Sequence, residues 1–157
     1  MHRLDEGTLD GGDVLRIGCA LYVGLSSRTN AAGAAALGAA AVPLGYEVVT
    51  VEPNQCLHLK TAVTFAGTDA QGTPRILINP DWIDPSLFAD VKPIPTDEPF
   101  AANCVRAGDR LILPAGNPRT ADELRRLGYD MVEIDVSELQ KAEAGVTCMS
   151  LLSDPND

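Results

Sequence analysis

Hydrophobic and polar positions fall into two near-copies of one pattern. DVLRIGCALYV at 13 to 23 is matched loosely by NCVRAGDRLIL at 103 to 113, an offset of 90 residues. In each copy a short apolar run, a glycine (Gly18 or Gly108) and a second apolar run predict two strands joined by a tight turn. An Arg-Thr pair follows in both, Arg28-Thr29 and Arg119-Thr120, where a helix is expected to open. Each helix is expected to end on the glycine of LGYEVVTVE (44 to 52) or LGYDMVEID (127 to 135), and the Val and Ile residues that follow, on one face, predict a third strand.

Between these strand-strand-helix-strand modules lies a weaker copy. TAVTFAG at 61 to 67 and RILIN at 75 to 79 read as strands, with a helix expected near Pro80 to Ala89. The period is about 45 residues, and at that spacing Asp13, His58, Asn103 and Cys148 occupy equivalent places, each near the start of an expected strand. Modules repeated around an axis bring equivalent positions together at that axis. Four polar residues of different chemistry are therefore expected to meet. The chain reads as a partial α/β propeller over 1–152, with modules at about 8–52, 58–97 and 100–136, a closing strand at 146–152 and a flexible tail at 153–157.

Composition narrows the function. A chain of 157 residues with 45% hydrophobic content can bury one core. Its 12 basic and 22 acidic residues give a net charge of -10, which disfavours nucleic acid and anionic membrane surfaces and weakly favours a small cationic ligand. The uncharged run from Thr29 to Tyr46 is rich in Ala and Gly and contains Pro43, so it reads as a helix and its trailing loop rather than a membrane span. MHRLDEG at the start has no apolar stretch of the kind a signal peptide needs, which makes the cytoplasm the expected location. The four cysteines form no CxxC pair, so free thiols are expected and neither a metal nor another cofactor is called for.

Among groups that can do chemistry, Cys148 in GVTCMS is ambiguous by itself, since an isolated cysteine in an apolar strand is usually a small core residue. Its standing rises because His58 occupies the equivalent place in another module, and a thiol needs such a neighbour to become a thiolate near neutral pH. Asp10 and Asp13 in LDGGD are the carboxylates, one able to enter a confined site while the other caps the turn. Arg28 in SSRTN, a cation at an expected helix start, suits a ligand carboxylate. Cys19, Cys56 and Cys104 read as core thiols.

Taken in order, LDGGDVLRIG, LYVGLSSRTN, LHLKTAV, AANCV, LPAGNPRT and AGVTCMSLL resemble the dimethylarginine dimethylaminohydrolase family over nearly the whole chain. The resemblance implies a pentein-type α/β propeller of ββαβ modules with pseudo-five-fold symmetry, of which about three of five modules are present here. It also implies a hydrolase that converts N-methylated arginine, its small-molecule substrate, to citrulline through a covalent thiouronium on Cys148. His58 then serves as acid and base, Asp10 as the supporting carboxylate and Arg28 as the binder of the substrate α-carboxylate. Ala142 and Glu143 match a segment lining the pocket, with Glu143 standing where many members have Asp. The family's further N-terminal modules are missing from this sequence, so a longer chain, a partner polypeptide or self-association is expected to complete the molecule. Two other readings are an arginine deiminase or amidinotransferase acting on unmethylated arginine, and a non-catalytic, self-associating fragment.

Overall fold

The computed structural model describes residues 6–88, 91–98, 100–142 and 144–151. Three small sheets follow one another along the chain, each of three strands in sequence order. In the first, β1 (Val14–Ile17) pairs antiparallel with β2 (Ala20–Gly24), and β2 pairs parallel with β3 (Glu47–Val51). The parallel return is made through α1 (Ala31–Ala41), as a parallel pair requires a crossover. The third sheet repeats this with β7 (Val105–Ala107), β8 (Arg110–Pro114), α3 (Pro118–Arg126) and β9 (Asp130–Ile134). Gly18 and Gly108, at φ 58° and 60°, make the two equivalent hairpin turns.

The middle sheet has the same order, β4 (Val63–Thr68), β5 (Pro74–Ile78) and β6 (Lys92–Pro95), but its helix is reduced. Over the described residues the helix expected near 80 to 89 is one 3-10 turn, Pro85–Leu87. Pro85 is the cause: it holds Asp84 in extended backbone (ψ 118°), so a helix cannot run through from Pro80.

The first strand of each sheet faces inward, β4 lying against both β1 and β7. Apolar side chains fill the spaces between sheets. The largest cluster joins the first two and includes Leu15, Val51, Leu59, Val63, Ile76 and Phe88. A second joins the middle and third sheets around Leu77, Cys104, Leu111, Leu113 and Leu124. A third is small, with Val105, Val136 and Val146.

Two expectations fail around the inner strands. His58 does not begin a strand; it caps α2 (Leu59–Ala62), one helical turn ahead of β4. The closing strand at 146–152 is instead a turn over Val146–Met149 in the described residues. A strand needs backbone partners, and here the Thr147 N–H is taken by the Asn103 side chain while the Val146 carbonyl accepts from the Ser150 hydroxyl. The tail at 153–157 lies outside the described residues.

Candidate active site

Asp10 has extended backbone and caps the 3-10 turn Gly11–Asp13, its Oδ1 accepting from the Gly12 N–H at 2.9 Å. Its own N–H donates to Thr29 Oγ1. With Oδ1 held in this way, Oδ2 faces the cavity, 3.3 Å from His58 Nε2 and 3.7 Å from Arg28 Nη1. The Gly12 N–H is the main reason that the Asp10 carboxyl stays below the ordinary carboxylate range; partial burial opposes it, and His58 and Arg28 reinforce it.

Asp13 is fully buried and points the other way. Its Oδ2 accepts from the hydroxyls of Ser26 and Thr29, each at 2.7 Å, and its Oδ1 accepts from the Leu59 N–H at 2.9 Å. One carboxylate thus ties the LDGGD loop, the segment before α1 and the residue after His58 into one unit.

His58 follows from that anchorage. Its backbone is extended (φ −139°, ψ 154°), and its carbonyl accepts from the Thr61 N–H, so the chain turns into α2 directly after it. The imidazole lies flat on the backbone at Gly12, where a Cβ would stand 2.7 Å from the His58 ring. Only 8% of the side chain is exposed. At 3.3 Å, Nε2 is in ion-pair contact with Asp10 but poorly aligned for a hydrogen bond, so both buried ring nitrogens lack a directed partner among the described residues. Unpaired buried polar atoms in the wall of a cavity mark the ring as a candidate for a role beyond packing.

Cys148 lines the same cavity from the Val146–Met149 turn, where it is exposed. The residue before it is held by Asn103, whose Oδ1 accepts from the Thr147 N–H at 3.0 Å and whose Nδ2 donates to Thr147 Oγ1 at 2.8 Å. A cavity of about 450 Å³ is lined by Asp10, Arg28, His58 and Cys148 together with Lys60, Thr147 and Ser150. It presents a thiol, an imidazole, a carboxylate and two cations, the inventory needed for covalent attack with proton transfer.

Lys60, Thr147 and Ser150 were not anticipated. Lys60 carried a signal, since it follows His58 by two residues in LHLK; burial lowers its pKa, opposed by the charges of Cys148, Asp10 and Asp13. Arg28 lines the cavity but does not open a helix: Asn30 caps α1, accepting from the Gly33 N–H, so Arg28 lies in the preceding loop, whereas Arg119 falls within the first turn of α3. Ala142 is exposed and does not line the cavity, and Glu143 lies outside the described residues.

The other cysteines divide. Burial pushes the Cys104 thiol up to about 12 and the half-buried Cys56 thiol to about 11, with Asp13 adding to the latter, which suits core groups. Cys19 is not a core thiol. It is exposed in the β1–β2 turn, because a two-residue hairpin connection leaves no neighbour to cover it.

Comparison with known proteins gives the site its context. No protein-family model matches the chain. It is 44% identical over 149 residues to a dimethylarginine dimethylaminohydrolase of Streptomyces coelicolor, covering 94% of this chain and 55% of that protein. The same-named protein of Pseudomonas aeruginosa is 37% identical over 147 residues, covering 92% of this chain and 56% of that one. Among solved structures, the Pseudomonas aeruginosa enzyme in a cysteine-to-serine form complexed with citrulline superposes with a TM-score of 0.82 and 34% identity, over 92% of this chain and 56% of that one. The inosamine-phosphate amidinotransferase of Streptomyces griseus, 18% identical with a TM-score of 0.73, shares the fold over 92% of this chain and 46% of its own. The chain thus spans about half the length of the curated relatives it matches. Over that span, with three three-stranded sheets in sequence order, it is similar in sequence to dimethylarginine dimethylaminohydrolases and shares the fold of its solved neighbours.

Proposed function

We propose that the protein hydrolyses N-methylated arginine to citrulline and a methylamine in the cavity shared by Asp10, His58 and Cys148. The observation that carries this reading is the meeting of those three side chains in one cavity although they stand far apart in sequence. The net charge of -10 favours a cationic substrate, and the relative solved with citrulline holds the expected product.

The Cys148 thiolate attacks the guanidinium carbon, forming a C–S bond and a tetrahedral adduct. As the adduct collapses, the C–N bond to dimethylamine breaks and protonated His58 gives its proton to the departing nitrogen, leaving a thiouronium on Cys148. Neutral His58 then takes a proton from water as the water oxygen attacks the same carbon. The second adduct expels the thiolate, and loss of the remaining oxygen-bound proton yields the ureido group of citrulline. Asp10, 3.3 Å from Nε2, is placed to hold the ring in the cavity. Arg28, with 54% of its side chain exposed and only a 3.7 Å contact to Asp10, is free to take the substrate α-carboxylate in a forked pair. Acidic groups for the guanidinium come from the rest of the propeller, either in the same polypeptide or in a partner chain.

Turnover of asymmetric dimethylarginine tests this, with the chain alone and with the remaining propeller modules supplied from the Streptomyces coelicolor relative. Citrulline and dimethylamine in equal amounts, with a trapped adduct on Cys148, are expected. Undiminished citrulline from Cys148→Ser would sink the proposal.

A further inference from the structure

We propose that Asn103 is a positioning residue that clamps the nucleophile's turn to the acid/base segment, setting where Cys148 stands relative to His58. This rests on the function proposed above and adds a residue to it. Asn103 is 1% exposed, and among the described residues its side-chain hydrogen bonds go to neither a thiol nor an imidazole. Its Oδ1 accepts from the N–H of Thr147, the residue before the nucleophile, and its Nδ2 donates both to Thr147 Oγ1 and, at 2.9 Å, to the carbonyl of Lys60, two residues after His58. The amide orientation is fixed by this set: reversing it would set NH₂ against the Thr147 N–H and oxygen against the Lys60 carbonyl. The turn also lies close on the amide, since a Cβ at Gly145 would stand 2.6 Å from the Asn103 side chain.

The repeat supplies an internal control. Asp13, two periods earlier, performs the matching task for His58 by accepting from the Leu59 N–H. Its other partners are hydroxyl donors, so a carboxylate suits it. Position 103 must meet a donor at Thr147 and an acceptor at Lys60 together, and a neutral amide does both. Of the four equivalent residues, His58 and Cys148 therefore face the ligand, while Asp13 and Asn103 hold the backbone beside them.

The test follows iodoacetamide labelling of each cysteine in the full chain by peptide mass spectrometry. Exposed Cys19 is the reference for intrinsic reactivity, and buried Cys104, next to Asn103, reports unfolding. Beside His58 and Lys60, Cys148 is expected to label faster than Cys19. In Asn103→Ala the Cys148-to-Cys19 rate ratio is expected to fall at least fivefold with Cys104 still protected. Thr147→Val, which removes the hydroxyl that accepts from Asn103 Nδ2 and that also stands 4.0 Å from the Cys148 sulfur, is expected to lower the ratio about threefold, and Thr147→Ser to keep it at the parent value. If Asn103→Ala exposes Cys104, the Thr147 pair decides. A ratio within twofold of the parent in both Asn103→Ala and Thr147→Val overturns the clamp and leaves the proposed function standing. A parent chain whose Cys148 is no faster than Cys19, and which makes no citrulline when the remaining propeller modules are supplied, overturns the function, and the clamp with it.

Discussion

The His58 side of the cavity stands on the largest apolar cluster, because the next residue, Leu59, and Ala62 one turn on are both fully buried against Leu15, Val63 and Phe88. Asp13 adds three hydrogen bonds, and the Gly12 backbone supports the ring. The Cys148 side has far less beneath it. Among the described residues Val146 packs in a small cluster with Val105, Val136 and the partly buried Ile112, and the turn is further held by the Asn103 side chain, the Ser150 hydroxyl and a bond from the Ser150 N–H to the Thr147 carbonyl. Geometry at His58 is thus a by-product of core packing, whereas geometry at Cys148 depends on a few polar contacts near solvent. Segments with few buried apolar contacts open first.

The contrast can be broken most strongly at Leu59. Leu59→Ala should cost about 3 kcal/mol and lower the Tm by roughly 10 °C in a calorimetric scan, since truncating a fully buried leucine leaves a cavity in a packed core. Gly12→Ala should come next. It displaces the His58 ring and should cut citrulline formation by about 100-fold, or about 2.7 kcal/mol, while the Tm falls much less than in Leu59→Ala. Val146→Ala should cost only about 1 kcal/mol globally, yet speed amide exchange in the Cys148 turn while the amides of α2 stay protected; equal speeding on both sides would show that the two are not supported separately. The smallest effect concerns Asp10. Its carboxyl is depressed below the ordinary 3.8, so what its charge adds to stability is present above that value and disappears as pH falls through the lowered one. The Tm difference between the parent and Asp10→Asn should therefore be constant above about pH 5 and close in stronger acid.

Much of this arrangement was legible in the sequence because repetition leaves a trace that single elements do not. The matched runs at 13 to 23 and 103 to 113 gave two complete modules, and the common spacing of Asp13, His58, Asn103 and Cys148 pointed to a shared axis. Spacing could not say which members of the set turn toward a ligand. His58 and Asn103 both precede an inner strand, and only the hydrogen-bond partners separate a ring facing a cavity from an amide turned into backbone. The strand expected at 146 to 152 failed because an apolar run records burial and not pairing, and Thr147 has a side chain as its partner. The middle helix failed where Pro85 outweighed the pattern of the other two modules.

The clamps also bear on the order in which a growing polypeptide acquires reactivity. Each sheet begins with a hairpin between neighbouring segments, but the bonds from Asp13 to Leu59 and from Asn103 to Thr147 each close across more than forty residues. As the ribosome extends the chain, Gly12, Asp13 and His58 are all added before the cysteine that shares their cavity, which follows His58 by ninety residues. The two sides of the cavity are thus made in order, and the bond from Asn103 to Thr147 can close only after the strands of the third sheet have been synthesised.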